Sequence, residues 1–105
     1  MRRLIWAAMA LLISSVAFAA GPTDINEIKR QRMAEEFVAA NLKDPKSAEF
    51  RNQNGFCGEV NSKNSFGGYT GFQRFIAASR EMVVFERDKN LERGAFDEAW
   101  NQFCR

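Results

Sequence analysis

The sequence predicts an α+β fold: an N-terminal helix, a three- to four-stranded antiparallel meander, and a C-terminal helix packed on the sheet. Three observations predict it. Apolar side chains recur at helical spacing near both ends of the chain, over residues 25–42 and 95–104. Between them, short segments alternate apolar and polar residues and are broken by Asn- and Gly-rich turns. The two cysteines fall one in each region, Cys57 among the strands and Cys104 at the end of the last helix. Strands grouped in sequence and flanked by helices, without βα alternation, place the helices together on one face of the meander.

The first nineteen residues stand apart from this pattern. Met1-Arg2-Arg3 is a short basic start, Leu4 to Ile13 is apolar, and Ala17-Phe18-Ala19 is a small-residue cleavage pattern. Charge, apolar run and cleavage site in that order are the marks of a secretory signal peptide. The expected organisation is a signal peptide over residues 1–19 and one small domain over residues 20–105. An uncut N-terminal anchor is the alternative, but the apolar run is short for a span, so no stable membrane span is expected after cleavage. Of the 15 basic side chains, Arg2 and Arg3 leave with the leader, and the 13 that remain match the 13 acidic ones. A neutral chain lacks the basic stripe that nucleic acid or a polybasic membrane contact requires. The expected location is periplasmic or secreted.

Export and an even cysteine count pair Cys57 with Cys104 as a structural disulfide. The spacing fits neither a C-x-x-C redox site nor a zinc site. Histidine is absent from the chain, which removes triads, Cys-His dyads and His-held metals. No cofactor and no metal is implied.

Each element has a local reason. Asp24 with Glu27 three residues on resembles a capping box ahead of a helix from Ile25 to Leu42, whose apolar side carries Met33, Ala34, Phe37, Val38 and Leu42. Asp44-Pro45 stops it, and Asp44 can cap a short turn over Pro45 to Ser47. This accounts for Lys43 and Lys46 without a ligand. Ala48 to Arg51 alternates as a strand, Asn52 to Gly55 reads as a turn, and Phe56 to Asn61 alternates again with Phe56, Gly58 and Val60 on one face. A loop over Ser62 to Gly68 leads to strand candidates at Tyr69 to Ile76 and Met82 to Glu86. The closing helix carries Phe96, Ala99, Trp100 and Phe103 at i, i+3, i+4, i+7, with Asp97 and Glu98 in its first turn.

One stretch differs in kind. Residues 57–72 hold four of the seven glycines and the only tyrosine. Glu59, Asn61, Lys63, Asn64 and Tyr69 are the candidate ligand-binding residues, with Phe66 beside them; no catalytic residue is assigned. Polar groups on a loop fixed by a sheet and a disulfide suit recognition. The competing reading is turn chemistry, with asparagines satisfying backbone groups.

Lys43-Asp44-Pro45-Lys46-Ser47-Ala48-Glu49-Phe50 and the Cys57 to Phe72 stretch resemble a group of small exported bacterial proteins. Those proteins carry a Lys-Asp-Pro-x-Ser-Ala-x-Phe segment and a Cys-Gly-x-Val-Asn-x-Lys-Asn segment ending Gly-Gly-Tyr-x-Gly-Phe. The resemblance spans residues 37–76 and the terminal Trp100 to Cys104. It implies an exported bacterial domain and supplies no catalytic roles. The expected function is a non-catalytic binding or accessory module with a protein or glycan partner in the bacterial envelope. The alternatives are a carboxylate-based hydrolase acting on an envelope glycan, with Glu59 near Lys63, and an assembly role through the Phe-rich strands.

Overall fold

A computed structural model of the chain describes residues 24–104; the expected signal peptide, residues 1–19, and the lead over 20–23 lie outside the described residues. Helix α1 spans Ile25–Ala39. Asp24 is its N-cap, with Oδ1 accepting the Asn26 amide at 2.9 Å. Glu27 does not complete a capping box. Its carboxylate instead accepts the amide of Gly55 at 2.6 Å and the side chain of Gln31 at 2.8 Å.

The helix stops three residues short of the predicted Leu42. Its last turns tighten to i→i+3 bonds, Asn41 to Val38 and Leu42 to Ala39. The Asn41 side chain bonds the carbonyls of Phe37 and Arg80, which ties this end of α1 to the far hairpin. A single 3₁₀ turn follows at Pro45–Ser47, as expected, but the Asp44 side chain makes no capping bond. The Ser47 hydroxyl bonds the Asp44 carbonyl instead, at 2.8 Å.

Four strands make one antiparallel meander in the order β1-β2-β3-β4: β1 Glu49–Asn54, β2 Cys57–Asn61, β3 Gln73–Ser79 and β4 Met82–Phe85. The predicted turn at Asn52 to Gly55 lies mostly inside β1. Asn52 takes a positive φ of 53°, and the β1–β2 register shifts between Arg51 and Asn54. The asparagines thus make a bulge, and the reversal comes later, at Gly55-Phe56. β3 starts four residues after the predicted Tyr69. Gly71, at φ 93°, breaks the extended backbone just before it.

The core lies between α1 and one face of the sheet. Ala34, Val38, Val60, Phe75 and Ala77 are buried there, flanked by half-buried Phe37, Leu42, Phe50, Phe56, Val83 and Phe85. Met33, predicted for this stripe, is 45 % exposed. Phe50 meets Phe75 edge-on at 5.9 Å.

Helix α2, Ala95–Phe103, packs on the opposite face, which corrects the expectation that both helices share one. The reason is strand alternation. Val60 and Phe75 point to α1, so Cys57 and Ile76 point away from it. The Cys57–Cys104 disulfide, with Cα atoms 5.8 Å apart, therefore draws the end of α2 to the other side. Arg74 completes the attachment. Its guanidinium lies 5.0 Å from the ring centroids of both Phe96 and Trp100 and pairs with Glu86 and Asp97. The predicted α2 stripe is buried at Phe96 and half-buried at Ala99 and Trp100, whereas Phe103 is 72 % exposed.

Candidate functional site

The β2–β3 connection, residues 62–72, is held at both ends and across its middle. At its base, Asn61 Oδ1 accepts the Gly71 amide at 2.9 Å, and its Nδ2 donates to Glu49 at 3.2 Å. Next, the Ser62 carbonyl accepts the Thr70 amide at 3.1 Å, and Lys63 and Tyr69 form an antiparallel bridge. At the tip, Asn64 Oδ1 accepts the amides of Phe66 at 2.8 Å and Gly68 at 3.2 Å, while the Asn64 amide bonds the Gly68 carbonyl at 2.9 Å. Gly67, at φ 84°, supplies the left-handed residue of this reversal. From outside the loop, the Ser47 hydroxyl accepts the Lys63 amide at 2.8 Å. The two motifs that stand apart in sequence, around Lys43–Phe50 and Cys57–Phe72, are thus joined by the Ser47–Lys63 and Glu49–Asn61 hydrogen bonds as well as by β1–β2 pairing.

The five predicted site residues divide into two groups. The Asn61 and Asn64 side-chain oxygens are spent on the loop's own backbone, as turn chemistry requires. Glu59 is drawn away from the loop tip by β1: Arg51 Nε donates to it at 2.7 Å and Asn52 at 3.3 Å. Arg51 also stacks on the Phe72 ring, 3.7 Å from its centroid. Lys63 and Tyr69 do come together, with the ammonium 5.5 Å from the ring centroid. Tyr69 is 49 % exposed, and Phe66 at the tip is 96 % exposed. The loop therefore presents an aromatic pair and a cation on a backbone that is already ordered.

Sequence reasoning missed the surface beside this loop. A shallow cavity of about 270 Å³ lies where the end of α1, the β2–β3 loop and the end of β4 meet. Lys43, Lys63 and Arg87 line it, together with Leu42, Phe85 and Asp88. Arg87 is fixed there by donating to the carbonyls of Thr70 at 3.2 Å and Phe72 at 2.8 Å. No local pattern announces three cations separated by tens of residues.

A second, larger groove of about 480 Å³ lies on the α2 side, lined by Phe56, Ile76, Met82, Val84, Phe103 and the disulfide. Helix α2 is too short to cover all of them. Among the described residues, no three Cys, Asp or Glu side chains converge as metal ligands. No described helix is long and apolar enough to cross a membrane. Two carboxylates titrate below their usual range. The Gly55 amide, then the Gln31 side chain, holds Glu27 down, and the Arg74 amide does the same for Glu86. Both shifts come from structural bonds that join elements.

The chain matches no protein-family model, and comparison finds no significantly similar curated protein or solved structure.

Proposed function

We propose that the protein is an exported, non-catalytic binding module of the bacterial envelope that offers its β2–β3 loop to a protein or glycan partner. One observation carries the reading: Phe66 stands 96 % exposed at the tip of a reversal whose backbone is pinned by Asn64. A large aromatic held out on an ordered loop costs free energy in water and little entropy on binding, which is how interface anchors are built. Lys63 and Tyr69 flank it. The export part of the reading rests on the leader pattern of residues 1–19 and on a disulfide, which persists in oxidising compartments. The glycan hydrolase is the weaker reading, because the Glu59 carboxylate is engaged by Arg51 and Asn52.

The test is capture by the mature chain, residues 20–105, from envelope extract. Phe66→Ala and Lys63→Ala should keep the far-UV spectrum and melting temperature of the parent and lose the captured partner. Capture unchanged by both substitutions overturns the loop as the contact surface.

A further inference from the structure

We propose that the cavity between the end of α1, the β2–β3 loop and the end of β4 is a binding site for a small oxyanion, carboxylate or phosphate. The inference deepens the binding-module reading by naming ligand chemistry, and it rests on that reading only for its biological setting.

Lys43, Lys63 and Arg87 come from three separate connecting segments and line one concavity. A single acid, Asp88, shares it. None of the three cations forms an ion pair among the described residues, whereas Arg30, Arg51 and Arg74 each do. Glu86 feels the charge of Arg87, but its carboxylate is bonded to Arg74 on the other side of the strand.

Arg87 is the most informative of the three. Two of its guanidinium N–H groups are committed to the Thr70 and Phe72 carbonyls. Its amide donates to Gln73 Oε1 at 3.1 Å. The head group is therefore held at the cavity wall with N–H donors to spare, and ordering it costs nothing further on binding. The Lys63 backbone is fixed in turn by Ser47 and by the Tyr69 bridge. Like charges gathered in a concave site repel one another. Asp88 supplies one counter-charge against three, and an oxyanion would supply both further negative charge and acceptors. The half-buried Leu42 and Phe85 give such a ligand an apolar surface for its uncharged part. The volume suits a ligand of sugar-acid or phosphate size.

The experiment is an amide-shift NMR titration of the mature chain at low ionic strength. The probes are glucuronate in one arm and inorganic phosphate in another, with sodium chloride as the control. Saturable shifts confined to the neighbourhoods of Lys43, Lys63 and Arg87, in at least one oxyanion arm, are expected. The arm that saturates identifies the anion class. The Lys43→Glu, Lys63→Glu pair should weaken that binding by about tenfold or more, and added salt should weaken it progressively. A charge-matched control on α1, Lys29→Glu with Arg32→Glu, should leave it within about twofold, because these side chains lie outside the cavity. Shifts that fail to saturate, that spread over all basic side chains, or that respond equally to both double variants overturn the site. Envelope capture lost in Phe66→Ala but intact in Lys43→Glu, Lys63→Glu overturns a role for the anion site in that capture. A saturable titration without any envelope capture keeps the anion site and removes the envelope-module reading.

Discussion

The carboxylate of Glu27, in the first turn of α1, accepts the backbone N–H of Gly55 at the β1–β2 turn, 2.6 Å away and 28 residues on in sequence. It closes one end of the α1–sheet layer, beside the reciprocal bonds of Gln31 and Gln53, each at 3.2 Å. Because the amide donates to the ionised carboxylate, Glu27 titrates below its usual range. A depressed folded-state pKa means stabilisation that is complete above the unfolded-chain value and lost as pH falls through the folded one. Glu27→Gln should therefore destabilise the protein at neutral pH by about 1–2 kcal/mol, the worth of a partly exposed charge-assisted bond. It should also flatten the loss of stability below the carboxylate range. Denaturant melts of parent and variant at neutral and acid pH check both parts.

Gly58 has no room for a methyl group. A Cβ there would sit 2.9 Å from Gln53 Cγ, 3.0 Å from the tip of the Phe75 ring and 3.2 Å from Gln53 Cα. Phe75 is fully buried, and Gln53 is held by Gln31, so neither yields freely. Gly58→Ala should cost about 1–3 kcal/mol, as overpacking of a filled core does, and Gly58→Val more. An unchanged melting temperature in Gly58→Ala would contradict this packing.

Ser47 is the joint between the 3₁₀ turn and the β2–β3 loop. Removing its hydroxyl strands the Lys63 amide. Ser47→Ala should cost about 1 kcal/mol and speed hydrogen exchange at Lys63 more than at any core amide of β2. Equal protection at Lys63 in both proteins would show that the loop is ordered without this bond.

The disulfide closes a loop with a sequence separation of 47. In the chain-entropy picture this contributes about 4 kcal/mol. Little else fastens α2, apart from Arg74 with its two acids and two aromatic rings. Reduction, or Cys57→Ser with Cys104→Ser, should lower the melting temperature sharply and expose Trp100. A red shift in tryptophan emission that precedes loss of sheet signal would show α2 leaving first.

Much of this architecture was legible because its causes are local. Residues 25–39 are helical through spacing and the Asp24 cap. Val60 and Cys57 alternate because strands do, and the only two cysteines had a single partner each. The misplaced boundaries share a different cause. Asn52 to Gly55 is rich in turn formers, yet cross-strand pairing with β2 keeps three of those residues in β1 and leaves a bulge. Tyr69 to Phe72 reads as strand, yet Gly71 and the bonds from Asn61 and Arg87 hold it as loop.

The candidate site was half legible. Lys63 and Tyr69 lie near each other in sequence and across a tight reversal, so their meeting follows from the turn. Glu59 was grouped with them on proximity alone, but a cross-strand arginine claims it. Lys43 reads from the sequence as part of a helix stop, and Arg87 carries no local signal.

By itself, then, the sequence determined the α+β class, the order of its helices and strands, the disulfide pairing and the loop to suspect. Periodicity, turn chemistry and composition act over a few residues and are written in the chain. Tertiary structure alone decided that α2 lies across the sheet from α1, that Glu59 pairs with Arg51, and that Lys43, Lys63 and Arg87 share one cavity. Those outcomes depend on strand register, where a shift of one residue reverses every side chain, and on contacts between segments that no local pattern connects.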